Sequence, residues 1–467
     1  LSPFFKSPMA DFGYDVADYT DVDPVFGTLS DFDAMMEAAN AHSIRVIVDF
    51  VPNHSSDEHP WFIASRSSRD NPKRDWYMWH DPAPDGGPPT NHVGFFQGSV
   101  WEWDEQTEQY YMHMFLVEQP DLNWRNPDVK AAMHDVLRFW MDRGVSGFRL
   151  DAITTLIKQE NLRDLPEEGL TLTGAKLLSV LDQIHNQPEM HEILQGFRQV
   201  LDDHEQDAVL VGETNVSNFD ELMQFYGPAL NEVQLPQNLS TFLLPWDAVV
   251  MQEHLTEYYS ALPDGAVPSI VFGNHDRERL ATRYAVENAR SAHLLMLTMW
   301  GVPTIYYGDE LGMPDGTILP HQRQDPFVGE GLNAGVGRDP QRTPMQWDEA
   351  PNAGFTTPDA EPWLPIGTTF ASNVAKQERD ATSTLAFNRA LLTLRRESAA
   401  LSHGSLQFLT PPAAGLIAYE RRAPGERMLV AVNFGDDPVA VDISGVSSWV
   451  EVVLSTAIDS PSPRGAG

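Results

Sequence analysis

The sequence predicts a parallel α/β fold with a small antiparallel β domain at its C-terminal end. Three observations carry that expectation. Short apolar runs bounded by turn residues alternate with helical stretches, one helix to each strand. Three of the runs lead into a carboxylate: Asp151 in Gly-Phe-Arg-Leu-Asp, Glu213 in Val-Leu-Val-Gly-Glu and Asp276 in Phe-Gly-Asn-His-Asp. Beyond about residue 400 helical periodicity gives way to short strands alone.

In chain order, a helical stretch at residues 29–42 precedes the buried-strand run 45–50. From residue 59 to about 120, Pro, Gly, Asp, Asn and aromatics dominate, with a strand expected at 110–115. So long an excursion reads as an inserted functional region. Helical periodicity returns at 127–142, with Pro127 suited to a first turn and Gly144 to a stop. Strands are expected at 145–150, 208–212, 269–272 and 304–307, and helices at 289–299 and near 385–397. A Pro- and Gly-rich stretch, about 314–365, forms a second long loop region. Strands at 406–409, 416–420, 428–433, 439–443 and 449–454 make the C-terminal domain, and residues 460–467 read as a disordered tail.

Bulk properties narrow the partners. A chain of 467 residues with 42% hydrophobic residues, 12 Trp, 12 Tyr and 23 Phe is a packed globular protein. The formal charge of −36 argues against nucleic acid and anionic membranes as partners. It fits either adaptation to high salt or an acidic protein from an arginine-favouring genome. No apolar run approaches the roughly 18 residues of a membrane span. There is no cysteine, so no disulfide forms, which mildly favours a reducing compartment. The start at Leu1-Ser2-Pro3 shows no initiator Met and reads as an entry into the middle of a domain.

The strand-end carboxylates suggest chemistry. In a parallel barrel such side chains converge on one mouth. Like charges brought together repel and shift one another's pKa; glycoside hydrolysis is a reaction that requires the arrangement. Arg149 lies two residues before Asp151, on the same strand face, and would keep that carboxylate ionised as a nucleophile needs. Glu213 follows Gly212 and suits a partly desolvated general acid. Any one of these alone could equally be a structural ion pair or a strand-end cap.

Several motifs then resemble the alpha-amylase family of glycoside hydrolases, in its oligo-1,6-glucosidase and alpha-glucosidase branch. Asp49-Phe50-Val51-Pro52-Asn53-His54, Gly147-Phe148-Arg149-Leu150-Asp151-Ala152, Gly212-Glu213 and Phe272-Gly273-Asn274-His275-Asp276 resemble its four conserved regions in order. Gln119-Pro120-Asp121-Leu122-Asn123 is similar to a fifth region of that branch. So are residues 301–310 and the stretch from Gly337 to Trp347.

The resemblance implies a (β/α)8 TIM barrel with a domain inserted after the third strand. Its parts would be a first barrel segment at 1–54, the insertion at 55–123, the remaining barrel at 124–400 and a C-terminal β domain at 401–467. The family's first barrel strand has no counterpart ahead of Leu1, and the C-terminal domain looks short by about one strand. The resemblance further implies a retaining double displacement, with Asp151 as nucleophile, Glu213 as acid/base and Asp276 gripping the sugar 2-OH and 3-OH. His54, Arg149 and His275 would surround that sugar, with Asp49 behind Arg149. Asp11 and Arg338 would close the pocket around the terminal glucose, giving exo action. Tyr14 would stack under the ring, and Phe96 and Phe115 would wall the pocket. Ala152, directly after the nucleophile, goes with α-1,4 preference where a valine goes with α-1,6.

The expected substrates are short α-glucosides such as maltose and maltooligosaccharides, with sucrose a further candidate. Transglucosylation is expected beside hydrolysis. A sucrose- or trehalose-converting enzyme and a non-catalytic carbohydrate-binding relative are the alternatives. No cofactor is needed for the chemistry. A structural Ca²⁺ or Mg²⁺ occurs in the family, but its usual loop has no counterpart here and no metal ligand is assigned. A monomer or weak homodimer in a bacterial cytoplasm is expected.

Overall fold

The computed structural model describes residues 1–96, 98–165, 186–204, 207–327, 337–367, 373–409, 415–440 and 451–456. The chain divides into two compact units, one of residues 1–237 with 261–267, the other of residues 238–260 with 268–467.

The first unit opens with an antiparallel pair, β1 (Phe5–Lys6) and β2 (Asp18–Val22). The helix Leu29–Ala41 comes next in the chain, started by a Thr28–Asp31 capping box. It leads to β3 (Val48–Phe50), buried at all three residues. The insertion holds the helix Pro60–Ser67 and a small antiparallel sheet of β4 (Trp79–His80), β5 (Trp101–Asp104) and β6 (Gln109–Met112), with β6 in the centre. The helix Pro127–Asp142 has the expected bounds because its ends are chemically marked. Asn126 accepts the Asp128 N–H, Pro127 takes the first turn, and Gly144 lies just beyond at φ +91°. Its inward face is Val129, Met133, Val136, Leu137, Trp140 and Met141. Each such burial stabilises the fold by about 2 kcal/mol. Trp140 stacks with Phe5 at 5.0 Å and donates its indole N–H to Tyr19 O.

The first unit's parallel core is β3, β7 (Gly147–Leu150) and β8 (Val209–Thr214), with the helix Glu189–Asp202 between the last two. Strand register places Asp49 opposite Arg149, and Arg149 opposite Val211. Side chains two apart on a strand share a face. Asp49, Arg149, Asp151 and Glu213 are therefore delivered to one side by the backbone pairing itself. The strand β9 (Leu235–Asn238) is the next along the chain.

The second unit pairs β10 (Ser269–Val271) in parallel with β11 (Val302–Thr304). The helix Ala289–Thr298 connects them, and the helix Thr384–Glu397 packs on it through a His293–Asn388 hydrogen bond and Arg395, which donates to Leu297 O and Met299 O. The strand expected at 304–307 lies instead at Val302–Thr304. Tyr306 and Tyr307, read as strand residues, lie beyond its end. Their hydroxyls donate to Gln341 O and Thr343 O, tying down the loop at 339–343.

The C-terminal sheet is β12 (Ser405–Phe408), β13 (Leu416–Ala423) and β14 (Glu426–Asn433), antiparallel with β13 central. Here β13 runs three residues past its expected end at 420, because Glu420 pairs with Arg422 and with Arg427 and so keeps charged residues in the ladder. Of the strands expected at 439–443 and 449–454, residues 439–440 and 451–454 are not in strands and the remainder lies outside the described residues, as does the whole of the expected tail. Among the described residues, no helix is long and apolar enough to cross a membrane.

Candidate active site

In the first unit, one guanidinium organises three carboxylates. Arg149 Nη1 lies 2.9 Å from Asp49 Oδ1 and 2.5 Å from Asp151 Oδ1, and its Nη2 lies 2.9 Å from Glu213 Oε2. The Arg149 side chain is 16% exposed, and those of Asp151 and Glu213 are 11% and 12% exposed. Burial pushes Asp151 well above the ordinary carboxylate range, with Arg149 opposing and the charges of Glu213 and Asp49 adding to the rise. Burial also raises Asp49, again against Arg149. Arg149 is thus the largest influence holding Asp151 toward its ionised form. It works against desolvation and two neighbouring carboxylates, and is itself charged.

Ala152 adds a second donor to the same group. It sits in the left-handed region at φ 44°, ψ 41°, and its N–H points to Glu213 Oε2 at 2.9 Å. Gly212 makes room for Glu213: a Cβ there would lie 2.9 Å from Ile153 Cδ1 and 3.1 Å from Val233 Cγ1.

The predicted binding residues of this unit form a connected wall. Tyr14 is buried and donates its hydroxyl to Asp49 Oδ2 at 3.1 Å. Asp11 accepts from Gln119 Nε2 at 3.2 Å, and the same Gln119 nitrogen is 3.0 Å from His54 Nε2. His54 is pushed down to about 3 by burial and by the Lys158 charge, so its ring is neutral at neutral pH. Phe115 packs 4.9 Å from the His54 ring. Its stacked neighbour is Phe95 at 5.1 Å, while Phe96 meets it edge-on at 6.3 Å.

Next to His54 lies a buried polar network of Asn53, Asp121 and Lys158, to which the sequence assigned no role. Lys158 is fully buried, 2.8 Å from Asp121 Oδ2, and donates to Asn53 Oδ1 at 2.7 Å. Asn53 in turn donates to Asp121 Oδ1. The backbone bridge between His54 and Asp121 joins the segment after β3 to the end of the insertion. A lysine seven residues beyond Asp151, directly after Leu156-Ile157, was the available signal.

In the second unit, Asp276 Oδ1 accepts from Arg342 Nη2 at 2.7 Å and from Arg338 Nη1 at 3.4 Å, and His275 Nε2 lies 3.3 Å from Asp276 Oδ2. Arg338 is forked onto Asp325, through Nε at 2.9 Å and Nη2 at 2.8 Å. Gly337, at φ +62°, permits this: a Cβ there would meet Phe327 O at 2.3 Å and Asp325 Oδ2 at 2.6 Å. Arg342 and Asp325 are further residues that sequence reasoning left without a role.

Among the described residues, no group of three or more His, Cys, Asp or Glu side chains is placed to hold a metal ion.

The family model for the alpha-amylase catalytic domain matches residues 1–404. The chain belongs to the alpha-amylase family. Within it, a probable alpha-glucosidase of Rhizobium meliloti (strain 1021) is 39% identical over 462 residues, covering 95% of this chain and 83% of the relative. An oligo-1,6-glucosidase of Heyndrickxia coagulans is 35% identical over 483 residues, covering 95% and 85%. Among solved structures, the alpha-glucosyl transfer enzyme XgtA superimposes with a TM-score of 0.87 at 36% identity, covering 97% of this chain and 86% of that one. The trehalulose synthase MutB from Pseudomonas mesoacidophila MX-45 does so with 0.86 at 34% identity, covering 93% and 82%. The strand–helix alternation is thus that of the (β/α)8-barrel alpha-amylase enzymes, and the protein is a glycoside hydrolase of that family.

Proposed function

We propose that this alpha-amylase family member is an exo-acting, retaining α-glucosidase that releases glucose from the non-reducing ends of short α-glucosides. The observation that carries the reading is the Arg149 cluster, which holds Asp151 and Glu213 on the two terminal nitrogens of one guanidinium. Retention needs a nucleophile and an acid/base close together. In the proposed first step Asp151 attacks the anomeric carbon as the glycosidic C–O bond breaks, and the leaving oxygen takes the Glu213 proton. In the second, Glu213 takes a proton from water, the resulting hydroxide attacks the same carbon, and Asp151 is released. Asp276 grips the sugar 2-OH and 3-OH. His54 and His275 line the glucose subsite, Tyr14 supports the ring, and Phe96 and Phe115 wall it. Asp11 and Arg338 hold the terminal hydroxyl, which makes the action exo. The carboxylates move every proton in this scheme, so no cofactor is required. The proposed form is a monomer or weak homodimer, acting in a bacterial cytoplasm.

Ala152 supports an α-1,4 preference. A valine in its place would crowd the next subsite with two further methyls, and a β-branched residue is strained at φ 44°. Maltose and maltooligosaccharides are the proposed substrates. A second reading, glucosyl transfer or sucrose isomerisation by the same carboxylates, is favoured by the likeness to XgtA and MutB.

Product chromatography on maltose, isomaltose, sucrose and trehalose separates these readings. Glucose from maltose, faster than from isomaltose, is expected. Faster isomaltose cleavage sinks the linkage preference, and isomerised sucrose as the main product favours the second reading. Glu213→Gln is expected to lower maltose turnover by at least ~10³-fold while sugar binding by calorimetry persists; unchanged turnover removes Glu213 from the acid/base role.

A further inference from the structure

Arg342 is the deepest of the cations around Asp276. Its side chain is 7% exposed, against 28% for the carboxylate it holds. It ends the short turn Asp339–Arg342 in the second long loop region, distant in sequence from the strand end it serves. Its Nη2 donates to Asp276 Oδ1 at 2.7 Å and its Nε donates to His275 O at 3.0 Å. One planar group thus grips both the side chain of Asp276 and the carbonyl just before it. That sets the angle of the carboxylate relative to its own backbone. Arg338 contributes less to this, because its fork is engaged with Asp325 and its reach to Asp276 is 3.4 Å. A guanidinium does this where an ammonium does not, since its donors are fixed in one plane.

We propose that Arg342 is a positioning residue for sugar recognition: it fixes the Asp276 carboxylate in the orientation that accepts the substrate's 2- and 3-hydroxyls. The inference rests on the reading that Asp276 binds those hydroxyls. Hydrogen bonds to them strengthen as the ring flattens toward the transition state. Loss of the grip therefore falls on kcat more than on KM. A misplacement of about 1 Å costs on the order of 10²-fold.

The test pairs two variants with two substrates, 4-nitrophenyl α-glucoside and its 2-deoxy analogue. Arg342→Met is expected to lose about 10²-fold in kcat/KM on the glucoside. The loss on the 2-deoxy substrate should be about tenfold smaller, because one of the hydroxyls Asp276 would grip is gone. Arg342→Lys should recover part of the glucoside rate. In an Asp276→Asn background, Arg342→Met should add little further loss. Equal losses on both substrates, or no loss at all, overturn the proposal, since a merely structural role does not depend on the 2-OH. Should Arg342→Met fail to fold, the substrate dependence of Arg342→Lys decides the matter in the same way. Wild-type protein that cleaves neither α-glucosides nor their relatives defeats the α-glucosidase reading. Equal losses against an active wild type defeat this inference alone.

Discussion

Arg149 faces a harder task than its place two residues before Asp151 suggests. The sequence motif sets it beside Asp151, and the family resemblance adds Asp49 behind it. In the fold, pairing across β3 and β7 sets Asp49 against it, and β8 brings in Glu213, so one positive charge meets three carboxylates. Arg149→Met removes the largest influence that lowers Asp151. The nucleophile then protonates more readily. The acid limb of kcat/KM is expected to move to higher pH, by about one pH unit or more. An unmoved limb would show that Asp151 does not depend on this cation. The charge itself was readable in the Phe-Arg-Leu-Asp motif. Its contact with Glu213 was not, because cross-strand register is set by tertiary pairing.

Elements whose ends carry local chemistry were legible, and those ended by tertiary contacts were not. The helix at 127–142 is bounded by an Asn cap, a first-turn Pro and a Gly just past its end. β11 slipped because tyrosines that anchor a loop look like strand residues. β13 ran long because its charges pair across the ladder. The buried Lys158–Asp121 pair shows the same limit, since its role is to fasten the insertion's end to the segment after β3. Lys158→Met strands the Asp121 charge in the interior and is expected to cost about 3–5 kcal/mol in denaturant unfolding. Lys158→Met with Asp121→Asn leaves no charge behind and should recover most of that loss. Equal destabilisation of the single and double variants would count against an ion pair.

Over the whole molecule, buried groups of opposite kind set the pH range of stability. His54 is pushed down to about 3 and His59 to about 4, both by burial. Unfolded histidines take a proton below about pH 6.5, while these folded ones do not until far lower. Their contribution is present above about pH 6.5 and is lost as pH falls toward 4. Burial pushes Asp309 up to about 7 and Asp315 up to about 6. Their contribution is present below the usual carboxylate pKa and is lost as pH rises through 6 to 7. Between about pH 4 and 6 the two sets act in opposite directions and largely offset one another, so each shows on its own only when the other is removed. His59→Asn keeps a side chain able to accept the Trp61 N–H that His59 accepts, and has no proton to gain. It should raise Tm at pH 4.5 relative to Tm at pH 6.5 by ~2–4 °C compared with the unsubstituted protein. An unchanged difference between the two pH values would show that His59 does not contribute to the pH dependence.

The shared guanidinium also makes the two proposed steps keep time with each other. When Asp151 becomes an ester it carries no charge, and the field of Arg149 then falls more fully on Glu213, which has just become an anion. When water frees Asp151, the anion returns to that side as Glu213 regains its proton. The positive charge stays put while the negative charge crosses from one nitrogen's partner to the other's, a see-saw about a fixed fulcrum. Neither half of the cycle leaves a new buried anion without a cation in contact.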